Sequence, residues 1–80
     1  SLEENHDIFK IYPNPVEETL MINADNIKNI KIFSLTGVVM YEKETNANNV
    51  NINVEDLPSG SYLIQIITTE GTTTKQIIVK

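Results

Sequence analysis

The segment Asn49–Val54 restricts the fold more than any other part of this 80-residue chain. Asparagine and aliphatic side chains alternate there without a break, Val50, Ile52 and Val54 on one side and Asn49, Asn51 and Asn53 on the other. A period of two puts successive side chains on opposite faces of an extended strand, one face buried and one wet. The same alternation recurs elsewhere. Leu20 and Ile22 share a face, as do Ile30 and Ile32, and as do Tyr62, Ile64 and Ile66. No stretch combines helical spacing with caps over the length that a helix needs.

Punctuation divides the chain into strands over Ile8–Tyr12, Thr19–Asn23, Lys28–Ser34, Val38–Glu44, Asn49–Val54, Ser61–Thr69 and Thr72–Lys80. Pro13-Asn14-Pro15 ends the first, because two prolines cannot donate to a ladder. Asn23-Ala24-Asp25-Asn26 and Thr45–Asn48 are polar breaks. Leu35-Thr36-Gly37 and Glu70-Gly71 are hairpin turns, with Gly37 free to adopt positive φ. Glu55–Gly60 is a corner. About seven short antiparallel strands at such spacing predict an all-β, immunoglobulin-like sandwich over residues 8–80, preceded by a polar linker at 1–7. Tyr62, just after the corner, is placed either to hydrogen-bond back to upstream backbone or to serve as an ordinary half-buried core tyrosine.

Composition narrows function. With 40% hydrophobic and 21% charged residues the chain is too apolar for disorder. It has no cysteine, tryptophan or arginine and carries a net charge of −5, so a basic nucleic-acid face is not expected, and no apolar run is long enough to span a membrane. A core this small leaves little room for a cleft with its own supporting shell. His6 is the only histidine and stands in the polar N-terminal segment, so neither a zinc site nor a histidine-based triad can be assembled. Ser34, Ser59 and Ser61 lack a base. Glu3-Glu4, Glu17-Glu18 and Glu55-Asp56 are neighbours in sequence, which do not converge across a cleft as acid–base pairs must. Asn23, Asp25 and Asn26 offer oxygen ligands of a calcium type, with too few carboxylates to define a site. The expectation is no enzyme and no cofactor.

What remains is a surface to be recognised. Open sandwich edges accept another strand, whether from a partner or by self-association. Lys75-Gln76-Ile77-Ile78-Val79-Lys80 is the candidate element, an apolar triplet bracketed by lysines.

Four motifs, in order, resemble one family: Ile11-Tyr12-Pro13-Asn14-Pro15, Ile32-Phe33-Ser34-Leu35-Thr36-Gly37-Val38-Val39, Leu57-Pro58-Ser59-Gly60-Ser61-Tyr62-Leu63-Ile64-Gln65-Ile66 and Thr74-Lys75-Gln76-Ile77-Ile78-Val79-Lys80. This looks like the type A C-terminal sorting domain of the Bacteroidetes type IX secretion system. The resemblance implies a non-catalytic address at the end of a larger exported protein. Such a domain takes its cargo from the periplasm through the outer-membrane translocon, with shuttle and sortase components as partners. Sortase cleavage and attachment at the cell surface usually follow. Pro13, Asn14, Pro15, Gly37, Leu57, Gly60 and Tyr62 match the family's structural positions, and Lys75 to Lys80 match its recognised end. Two rivals remain: an accessory module binding carbohydrate or a neighbouring domain, and a plain spacer. Carbohydrate platforms present exposed aromatics, and Phe9, Tyr12, Phe33, Tyr41 and Tyr62 are the only aromatics here.

Overall fold

A computed structural model describes residues 10–80. The expected linker at 1–7, His6, Glu3-Glu4 and the first two residues of the first expected strand, Ile8 and Phe9, lie outside the described residues. Five strands form one antiparallel sheet: β1 (Lys10–Tyr12), β2 (Thr19–Ser34), β3 (Val39–Asn53), β4 (Gly60–Thr68) and β5 (Gly71–Val79). No helix occurs among the described residues.

The organising strand is β2. Along its whole length one edge pairs with β3, from Thr19↔Asn53 to Phe33↔Val39. Its other edge is shared end to end. β1 takes the first half, with Tyr12↔Met21, and β4 takes the second, from Ile27↔Thr68 to Ser34↔Tyr62. β5 then pairs with β4 from Gly60↔Val79 to Thr68↔Gly71. The strand count corrects the expected seven to five. The two polar breaks are bends inside long strands, so the expected second and third strands are halves of β2, and the fourth and fifth are halves of β3.

These bends have a physical cause. Between Asn23 and Ile27 the register of β2 against β3 shifts, and it shifts again between Ile27 and Asn29. Extra residues in a strand bend it and increase its twist. Asn26 has φ +55°, a left-handed conformation that asparagine tolerates better than most residues. Asparagine side chains of β3 also bridge to β2 across the bend. The Asn26 amide donates to Asn48 Oδ1 at 2.8 Å, and Lys28 Nζ donates to Asn46 Oδ1 at 2.8 Å.

The bend curls the sheet around a single core, which gives the immunoglobulin-like form. Leu20 and Ile22 from the first half of β2, with Val50 and Ile52 of β3, join Ile30 and Ile32 from its second half in one buried cluster. Ile64, Ile66, Ile77 and Val79 close that cluster from β4 and β5. Val50, Ile52 and Val54 are all buried, as the alternation in this segment predicts. No polar or charged residue is buried among the described residues.

Candidate functional site

The terminal segment divides into two sets of side chains. Ile77 and Val79 point into the core, whereas Gln76, Ile78 and Lys80 are exposed on the opposite face. Ile78 is 43% exposed, which is high for an isoleucine in a sheet. Lys75 lies on the same side as Ile77, at a point where the interior opens to solvent. The strand is therefore anchored by alternate residues and displays the others.

β5 stands at one end of the strand order, yet the backbone edge of its last residues is covered. The segment after β1 runs alongside it. The Val16 amide donates to the Ile78 carbonyl and the Lys80 amide to the Val16 carbonyl, each at 2.8 Å. Val16 and Val79 form a parallel bridge, and Val16 is fully buried. One step earlier, the Asn14 side chain does what a backbone amide would do. Its Oδ1 accepts from the Ile78 amide at 2.9 Å, and its Nδ2 donates to the Gln76 carbonyl at 3.2 Å. Pro13 and Pro15 flank it and have no N–H of their own to satisfy. A carboxamide carries one donor group and one acceptor, so it completes a ladder where the proline-bearing backbone cannot.

Tyr62 closes the same end. It is buried and pairs with Ile77 across the sheet, and its hydroxyl donates to the Pro58 carbonyl in the Leu57–Gly60 corner. Gly60 faces Val79 in the ladder at φ +150°. Pro13-Asn14-Pro15, the Leu57–Tyr62 corner and the last residues of β5 thus lie together. Gly37 belongs to the β2–β3 turn, with φ +94°, and its amide donates to the Ser34 carbonyl. Ser34 in turn sits opposite Tyr62, so this turn projects from the same end of the molecule.

Two features were not legible from spacing. One is the cap by Asn14. The other is the β2–β3 hairpin tip, where Leu35, Val38, Val39 and Met40 are all exposed, Leu35 by 62%. The consecutive apolar run Val38-Val39-Met40 signals it, because a half-buried strand would alternate.

The acidic neighbours Glu17-Glu18 and Glu55-Asp56 are exposed. Asn23 donates to the Tyr12 hydroxyl at 3.2 Å, and Asn26 shapes the bend, so the Asn23–Asn26 cluster has structural work of its own. Among the described residues no three His, Cys, Asp or Glu side chains gather as metal ligands would.

Comparison with known proteins decides the family. The model of the secretion system C-terminal sorting domain matches residues 10–80. The chain belongs to that family. As a sorting domain this unit is non-catalytic. Sequence relatives include ulvan lyase NLR42 of Nonlabens ulvanivorans, 37% identical over 59 residues, covering 70% of this chain and 11% of the relative. Beta-agarase D of Zobellia galactanivorans is 31% identical over 70 residues, covering 88% of this chain and 14% of the relative. The sorting domain thus spans a small fraction of each. In fold it is similar to PorZ of Porphyromonas gingivalis, described as an essential bacterial surface component of the type-IX secretion system. That match has a TM-score of 0.73 and 20% identity, and covers 91% of this chain and 11% of PorZ.

Proposed function

We propose that this sorting domain is the address by which a larger protein attached to it passes from the periplasm through the type IX outer-membrane translocon. Residues 8–80 form the recognised unit and residues 1–7 the link to the cargo. Lys75 to Lys80 carry the recognition, with shuttle and translocon components reading the outward side chains. A surface sortase then removes the domain and leaves the cargo at the cell surface or outside the cell. Pro13, Asn14, Pro15, Gly37, Leu57, Gly60 and Tyr62 hold the recognised strand in place.

The observation that carries this reading is the division of the terminal strand. Core-facing Ile77 and Val79 fix the backbone, and Gln76, Ile78 and Lys80 stand outward on it. A signal read on a folded protein needs side chains displayed from a rigid element.

The test is a reporter carrying an N-terminal export signal and these 80 residues at its C-terminus, expressed in a type IX-competent host. The expected result is reporter outside the cell or on its surface, and periplasmic retention in a strain lacking the translocon. Equal release from both strains, or equal release without the domain, overturns the reading.

A further inference from the structure

The cap on β5 stops at Asn14, and beyond it the curled sheet has a slit. Lys10, Ile11 and Tyr12 of β1 form one wall, and Lys75, Gln76 and Ile77 of β5 form the other, with Asn14 at the closed end. The cavity measures about 380 Å³. Ile11, half-buried against the core, gives the floor its accessible apolar side chain, and Ile77 lies fully buried beneath it. The walls are two strand edges, since among the described residues β1 pairs with β2 alone and β5 with β4 alone in the strand order. Charge completes the description. Two of the chain's six lysines line the slit and, among the described residues, no carboxylate does, although Asp and Glu outnumber Lys 11 to 6.

We propose that this slit is a docking site for an extended peptide segment of a partner protein, one that alternates apolar and carboxylate side chains. Three features specify that occupant. The outer edge of β5 already holds extended chain one step further on, at Asn14 and Val16, so the same edge suits another strand. An apolar floor at Ile11 under polar walls matches the two-residue period of a strand, with alternate side chains turned toward it. Lys10 and Lys75 favour carboxylates at the positions between, and they reject a basic segment. This surface goes beyond the sorting role, which concerns the outward side chains of residues 76–80.

The backbone contribution can be isolated. Ile78 and Lys80 direct their amides to the outer edge, and strand alternation gives Thr74 the same direction. Thr74→Pro therefore removes an outward N–H and leaves the β4 ladder intact, as proline on an edge strand does.

The experiment titrates two synthetic peptides, Glu-Val-Glu-Val-Glu-Val and Lys-Val-Lys-Val-Lys-Val with blocked ends, into the 80-residue chain and follows backbone amide shifts by NMR. The acidic peptide is expected to move amides of Lys10–Tyr12 and Thr74–Ile77, and the basic peptide to move none of them. Exchanging Lys10 and Lys75 for glutamate should weaken acidic-peptide binding by roughly tenfold or more at low salt. Thr74→Pro should weaken it as well, with the spectrum of the unliganded protein showing that the fold is retained. Equal binding of both peptides, shifts confined to the Leu35–Met40 hairpin, or no shifts overturn the proposal. So does a response of the slit amides to Glu3→Gln, Glu4→Gln and Asp7→Asn, or to self-association, since each names a different occupant.

Discussion

Asn14 carries more of this structure than its place in a Pro-Asn-Pro turn suggests. Its two contacts with β5 bridge 62 and 64 positions of sequence, so no local spacing could reveal them. Proline chemistry shows that a strand ends there; it does not show what the intervening side chain reaches. Tyr62 was more legible, because a tyrosine after a proline–glycine corner has a short list of partners, and the Pro58 carbonyl is four residues upstream. Removing the carboxamide of Asn14 leaves the Ile78 amide and Gln76 carbonyl without protein partners. Asn14→Ala should therefore cost about 1–2 kcal/mol in urea unfolding and raise hydrogen exchange at the Ile78 amide. Asn14→Asp keeps the acceptor but loses the donor, and should fall between the two. If Asn14→Ala leaves the Ile78 amide as protected as before, the side chain is not the cap.

At the level of elements, alternation located ten of the fifteen buried positions, missing Val16, Ala24, Ile27, Ile77 and Val79, and composition misjudged continuity. Asn23-Ala24-Asp25-Asn26 reads as a chain reversal because asparagine and aspartate favour turns and left-handed backbone. Here the same preference bends a strand and lets it continue, and the alternation of buried residues is interrupted at the bend. Leu20, Ile22 and Ala24 keep one parity, Ile27 breaks it, and Ile30 and Ile32 resume it. A reading that stops each strand at the first polar cluster counts seven segments where the described residues form five strands. The bend is testable at Asn26, whose φ of +55° suits asparagine or glycine and strains a β-branched side chain. Asn26→Val should destabilise by about 1–3 kcal/mol, whereas Asn26→Gly should stay within about 1 kcal/mol of the parent, because the bond to Asn48 comes from the backbone amide. Urea midpoints of the two variants decide this, and equal stability would mean that the bend does not depend on left-handed backbone at Asn26.

For the whole molecule, the proposed recognition and the folding share one strand, and that decides how the address must be tested. Deleting Lys75–Lys80 removes Ile77 and Val79 from the core together with the bonds that hold Val16. Each buried aliphatic side chain contributes about 1.5–3 kcal/mol, against a net stability of about 3–5 kcal/mol for a domain this small. The deletion therefore unfolds the domain, and lost export would follow whether or not the segment is read. Exchanging only the outward set separates the two causes. Gln76→Thr, Ile78→Thr and Lys80→Thr together keep a strand-forming residue at every exposed position and leave the core untouched. Stability by urea unfolding should change by less than about 1 kcal/mol, since none of the three side chains is packed inside. Export of a fused reporter should nevertheless drop severalfold, with the retained protein folded and periplasmic. Ile77→Val should behave in the opposite way, losing about 0.5–1.5 kcal/mol and keeping export, because the displayed face is unchanged. A triple-threonine variant exported as well as the parent would show that the translocon reads another part of the domain, with the exposed Leu35–Met40 hairpin the next surface to exchange.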